Sequence, residues 1–175
     1  MSGAEFAILD FIQNNIRSGF LDFLMPKITA LGNAGILWII LTVIFLISKK
    51  YRTTGIVMAI ALIIDLIGCN MILKPLAARL RPFQINTAVE LIISAPHDFS
   101  FPSGHTAASF ASVAAMYFTK FKYWKVFGVL AVIIAFSRLY LYVHFPTDVL
   151  FGAVFGVIFA FLGYKIYGVV FKRKS

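Results

Sequence analysis

The sequence predicts an all-α polytopic membrane bundle: five transmembrane helices, preceded by an N-terminal amphipathic helix lying in the interface. Three observations predict it. Of the 175 residues, 61% are hydrophobic and only 13% charged, with a mean hydropathy of +0.90; a soluble domain carries about a quarter charged residues. The apolar residues fall into stretches near the length of about 20 residues that crosses a bilayer. The cations are grouped beside those stretches. Ten of the sixteen lie in three clusters: Lys49, Lys50 and Arg52; Lys120, Lys122 and Lys125; Lys165, Lys172, Arg173 and Lys174.

At the N-terminus, Phe6, Leu9, Ile12, Ile16, Phe20 and Phe23 recur at helical spacing, while Asp10, Asn14, Arg17, Ser18 and Asp22 fall elsewhere. That pattern suits a helix lying on a membrane surface. Glu5, Asp10 and the lack of a basic start exclude a signal peptide. A sixth, imperfect span is the rival reading; it would move the N-terminus inside and leave the other elements unchanged. Spans are expected over roughly 29–48, 54–73, 104–119, 124–142 and 147–170, the third being short. The longest connection, about 83–101, carries Glu90, His97 and Asp98 and reads as an extramembrane loop. No linker or repeat divides residues 1–175, so one domain is expected.

Helix packing has its own signals. Gly104, Ala108, Ala111 and Ala115 share a face of the third span, as do Gly152, Gly156 and Ala160 on the fifth. Small residues at four-residue spacing let helices approach closely in lipid. They are expected to bring the helix of His105 to that of Asp148.

Charge and cysteine exclude several classes. The net charge of +9 is no sign of nucleic-acid binding, because the clusters flank apolar spans and obey the positive-inside rule. Anionic headgroup contact follows from the same placement. Cys69 is alone, and acids are few, so no structural metal or cofactor is expected. With all three clusters cytoplasmic, the 83–101 loop, the 143–146 turn and residues 1–27 lie on the other side.

Three polar islands map to that second face: Lys74 with Arg81-Pro82; Pro102-Ser103-Gly104-His105; and Ser137-Arg138 with His144 and Asp148. Charge in an apolar protein is costly and marks function. Breaking a phosphate ester requires neutralised oxygens, a nucleophile and a proton for the leaving group. Lys74, Arg81 and Arg138 supply cations, the Arg forks matching phosphate oxygens. Ser103 suits an N-cap, the first amides of the following helix favour an anion, and Gly104 lets a ligand approach the backbone. His144 and Asp148, four apart, share a helical face, and Pro146 suits a first turn. An Asp on Nδ1–H leaves Nε2 free as a nucleophile, and His105 is then available as an acid. Each residue alone has an ordinary explanation as an anchor, a cap or a turn. Their conjunction on one face does not.

The spacing Lys74-x6-Arg81-Pro82, Pro102-Ser103-Gly104-His105 and Ser137-Arg138-x5-His144-x3-Asp148 resembles, without departure, the three-part signature of the type 2 phosphatidic acid phosphatase superfamily. The resemblance covers roughly residues 74–148. It implies a helical membrane phosphatase needing no metal, with His144 as the nucleophile forming a phosphohistidine and Asp148 orienting it. It implies that His105 protonates the leaving group, while Lys74, Arg81, Ser103, Gly104 and Arg138 hold the phosphoryl oxygens. The soluble vanadium haloperoxidases share the signature, and the membrane spans argue against that activity. The short chain resembles compact bacterial members acting on undecaprenyl diphosphate or phosphatidylglycerol phosphate. An outward-facing site suits undecaprenyl diphosphate, with phosphatidylglycerol phosphate or phosphatidic acid as alternatives. A lipid transporter or flippase binding a phosphate headgroup is the reading of another class; it needs neither the His144–Asp148 pair nor a second His.

Several residues stand outside the pattern. Asp65, mid-span with Asn70 below it, is expected to bond a neighbouring helix or to support Lys74. Arg79 reads as a headgroup contact, and His97 and Asp98 as solvated loop residues, with contact to substrate as the alternative. Phe83, Phe99 and Phe101 read as a lipid entrance or as interface anchors, and Tyr140 and Tyr142 as belt aromatics.

Overall fold

The structure, a computed structural model, describes residues 3–171, and every regular element among them is helical. The N-terminal segment forms two helices rather than the expected one. Helix α1 (Gly3–Phe11) ends in a π-helical turn over Ile12–Ile16, and α2 begins afresh (Gly19–Leu31). Ser18 makes the break: it is extended (φ −153°, ψ 155°), and its hydroxyl accepts from the Leu21 N–H at 3.4 Å, the geometry of an N-cap. The expected apolar face is also divided. Leu9 and Ile12 are buried against Tyr140–Phe145, while Phe20 remains 71% exposed.

The first expected span is interrupted. Helix α2 runs into it, the chain turns through Gly32–Gly35 with Ala34 and Gly35 at positive φ, and α3 (Ile36–Ile47) continues at a 45° bend. Helix α4 (Arg52–Asp65) passes through a π-helical stretch, Leu66–Leu73, into the short α5 (Lys74–Ala77). Left-handed Ala78 (φ 43°) ends that helix, and α6 (Pro82–Ile85) opens the long loop. Helices α7 (Gly104–Phe118), α8 (Trp124–Tyr140) and α9 (Pro146–Phe171) match the third to fifth expected spans. Two helical runs, Arg52–Ile85 and Pro146–Phe171, are long and apolar enough to cross a membrane; the bent α2–α3 pair meets the same measure only when counted as one span. Helices α7 and α8, at 15 and 17 residues, are shorter than the usual spanning length.

Helix α7 lies at the centre, packed against α4, α8 and α9. Helices α7 and α9 pack closely through Gly152 and Gly156 as expected, but the α7 face they meet is Ser103, Ala107 and Ala111 rather than Gly104, Ala108, Ala111 and Ala115: a Cβ at Gly156 would lie 2.4 Å from the Ala107 carbonyl oxygen, and one at Gly152 would lie 2.8 Å from that of Ser103. Trp38 of α3 fills the adjoining core, and its indole N–H donates to Ser109 Oγ at 2.9 Å. The α3–α4 and α7–α8 turns meet at one end of the bundle. There Tyr51 meets Phe121 edge to face, and Thr119 donates to Thr54 at 3.0 Å. Two cation clusters and Lys165 sit at this end; Lys172, Arg173 and Lys174 lie outside the described residues. The polar islands occupy the opposite end. Outward faces of α3, α4, α8 and α9 expose Ile39, Ile63, Val129 and Leu150, a surface suited to lipid rather than water.

Candidate active site

Four helix ends converge on one cavity. Lys74 emerges buried from the π-helical stretch, a geometry frequent at functional sites. Arg81, 1% exposed, is extended at the start of α6, where its backbone N–H donates to Gln84 Oε1. Its guanidinium donates to the carbonyls of Asp98 and Val143 at 2.8 and 2.7 Å and to Asp98 Oδ1 at 2.6 Å. Asp98 also contacts Lys74 Nζ. Burial pushes the Asp98 carboxyl up, but Lys74 and Arg81 outweigh that and hold it well below the carboxylate range. A carboxylate therefore lies between two of the three expected phosphate-binding cations.

Ser103 caps α7 as the sequence predicts, fully buried, its hydroxyl accepting from Thr106 Oγ1 at 3.0 Å. Its backbone N–H donates to the Asp148 carbonyl at 3.0 Å, joining the starts of α7 and α9. Gly104 permits the close approach of α7 to Asn70 and Lys74: a Cβ there would lie 3.1 Å from Asn70 Oδ1. His105 Nε2 lies 2.9 Å from Asn33 Oδ1 in the α2–α3 turn. Gly32 of that turn makes room for the ring, since a Cβ would come within 2.6 Å of His105 Cδ2.

Arg138, in the last turn of α8, is buried and donates through Nη1 to Thr29 Oγ1 at 2.5 Å. Its Nε has no hydrogen-bond partner among the described residues, and neither has His144 Nδ1. His144 Nε2 sits 3.1 Å from Arg81 Nη1. Burial, reinforced by Arg81, Arg138 and Lys74, drives the His144 imidazolium well below the ordinary histidine value, so the ring is neutral. Asp148 Oδ2 lies on the expected Nδ1 side of that ring, but at 3.6 Å, too long for a hydrogen bond. The reason is competition. Oδ2 already accepts from Ser100 Oγ at 2.5 Å and from the Phe145 N–H at 2.8 Å, while Oδ1 accepts from Arg79 at 2.6 Å.

Lys74, Arg81, Gly104, His105, Arg138 and His144 thus line one polar cavity of about 570 Å³. Ser103 and Asp148 stand directly behind it. A second, apolar cavity of about 580 Å³ shares Lys74, Asp98, Gly104 and His105 and runs between α3 and α4 past Ile39, Val43, Leu62 and Ile63. Asp65 borders this groove, with Oδ1 lacking a partner among the described residues. Sequence reasoning left Asp98 to a solvated loop and Arg79 to a headgroup contact, and it passed over Asn33 and Ser100. Of these only Arg79 carried a signal, a second cation two residues before Arg81.

A family model described as the PAP2 superfamily matches residues 50–172, more than half of the chain. The chain belongs to the PAP2 superfamily. Relatives within PAP2 include an undecaprenyl-diphosphatase of Sulfolobus acidocaldarius, 33% identical over 74% of this chain; the chain spans 63% of that relative's length. Phosphatidylglycerophosphatase B of Bacillus subtilis is 35% identical over 84% of this chain and 75% of its own length. The crystal structure of Aquifex aeolicus LpxE superposes with a TM-score of 0.81 at 27% identity, covering 94% of this chain and 96% of the other. The relatives named by activity are phosphatases, and the helical PAP2 fold is the one described above.

Proposed function

We propose that the chain is a membrane lipid phosphatase acting without a metal through a phosphohistidine on His144. The observation that carries this reading is the single cavity in which three cations and two imidazoles, drawn from four helix ends, open directly into an apolar groove. A phosphate held by Lys74, Arg81 and Arg138, with the amides at the start of α7 as further donors, would displace the Asp98 carboxylate. His144 Nε2 then attacks phosphorus as the bond to the leaving oxygen breaks, and His105 gives that oxygen a proton. In the second step water attacks phosphorus as the phosphorus–nitrogen bond breaks, giving a proton back to His105 and releasing inorganic phosphate and free His144. The neutral state of His144 supports the first step, because only an unprotonated nitrogen is nucleophilic. Asp148 stabilises the imidazolium character that develops, closing the 3.6 Å gap as the Nδ1 proton becomes more acidic.

The groove between α3 and α4 suits an apolar tail entering from the bilayer. Undecaprenyl diphosphate, converted to undecaprenyl phosphate and phosphate, is the substrate we favour, supported by the Sulfolobus relative and by the outward placement that the cation clusters favour. Phosphatidylglycerol phosphate is the second reading, supported by the Bacillus relative. Phosphate release by purified protein, with chelator present, across polyprenyl diphosphates, phosphatidylglycerol phosphate and phosphatidic acid separates these. Vanadate is expected to inhibit, and headgroup translocation without phosphate release would replace this function with transport.

A further inference from the structure

We infer that Arg79 is a positioning residue of the site, holding Asp148 ionised and oriented behind His144 and tying that pair to the N-terminal helix through Glu5. The inference rests on the roles proposed above for His144 and Asp148. Arg79 lies between the expected anion clamps Lys74 and Arg81 in sequence, yet it does not face the cavity. Its Nη1 donates to Asp148 Oδ1 at 2.6 Å and to Thr147 Oγ1 at 2.7 Å, and its Nη2 to Glu5 Oε2 at 2.7 Å. The guanidinium carbon lies 4.1 Å from the Phe145 ring centroid, so the fork is clamped in its plane as well as at its ends.

The arrangement answers a physical problem at Asp148. That side chain has no exposure, and a buried carboxylate without a cation takes up a proton rather than remain charged. A protonated Asp148 could not stabilise positive charge on His144. A guanidinium stays protonated at any working pH, and its planar fork fixes the carboxylate's orientation as an ammonium cannot. With Oδ1 held by Arg79, Oδ2 is turned towards His144 Nδ1.

Glu5 completes the arrangement from the other side. Its Oε1 accepts from Thr147 Oγ1 at 2.5 Å, while its Oε2 takes the second Arg79 nitrogen. The buried face of α1 is thereby bonded to the first turn of α9, the turn that carries Asp148. An N-terminal segment whose composition suits a membrane surface thus becomes part of the apparatus that orients the nucleophile, without touching substrate. The charged and titratable groups around Asp148 are Arg79 and Arg81 from the α5–α6 segment, Glu5 from α1 and His144 from the turn before α9.

The test is kcat and KM of phosphate release by the full chain in detergent, comparing wild type, Arg79→Gln, Arg79→Lys, Glu5→Gln and His144→Ala. Arg79→Gln is expected to lower kcat by about ten- to a hundredfold, the scale on which partners behind a working side chain act, with KM little changed. Arg79→Lys should recover part of kcat, and Glu5→Gln should show a smaller loss of kcat. Lys and Glu5→Gln variants keep the test available should Arg79→Gln fail to fold. A wild-type kcat in folded Arg79 variants would overturn the inference, as would a loss confined to KM, which would make Arg79 a headgroup contact. Full activity in His144→Ala would instead sink the reading of the site on which the inference stands.

Discussion

Asp98 is the residue whose role changes most between sequence and structure. In the chain it is one polar residue of a long loop; in the fold its carboxylate bridges Lys74 and Arg81. A substrate phosphate binding to those cations must displace it. Asp98→Asn removes the competing charge but keeps the shape, so vanadate should bind several-fold more tightly to the variant. An inhibition titration reads this, and equal or weaker inhibition would contradict displacement. The motif residues were legible because charged and imidazole side chains stand out in an apolar chain at recognisable spacings. Asp98, Arg79, Glu5 and Asn33 were not, because their meaning lies in partners distant in sequence. Glu5 meets Arg79 across 74 positions and Asn33 meets His105 across 72. Nothing in the local pattern announces such pairs.

At the level of elements, apolar periodicity gave α4, α7, α8 and α9 nearly at their observed bounds and misjudged the N-terminal third. The pattern from Phe6 to Phe23 continues across Ser18, so the single polar cap that splits α1 from α2 was hidden by the regularity around it. Gly32–Gly35 likewise sits inside an apolar run, yet it bends the chain and delivers Asn33 to His105. Small-residue spacing proved the more reliable signal, since it reports how near two backbones come. The α7–α9 contact carries a prediction. In Gly156→Ala the new Cβ meets the Ala107 carbonyl, so the helices must separate and loosen the Ser103–Asp148 backbone bond. Overpacking of this kind costs about 1–3 kcal/mol. Thermal unfolding in detergent should show a lower Tm, whereas an unchanged Tm would mean that the contact is softer than the structure implies.

Across the whole molecule, charge is sorted along the bundle axis. The turns carrying Lys49, Lys50, Arg52, Lys120, Lys122 and Lys125 lie at one end, and the cavity lined by Lys74, Arg81 and Arg138 at the other. On the positive-inside rule, we propose that the end carrying the candidate site faces out of the cytoplasm. Ala95 is exposed in the loop beside Asp98, and the native Cys69 is buried. An impermeant thiol reagent should therefore label Ala95→Cys from outside intact cells; labelling only after permeabilisation would reverse the orientation. The central claim concerns His144, where fold, electrostatics and family membership meet. Its most direct test is phosphate release from a polyprenyl diphosphate with chelator present, comparing wild type with His144→Ala. The account predicts steady release by the wild type and none above background by the variant. Undiminished release by His144→Ala would contradict it.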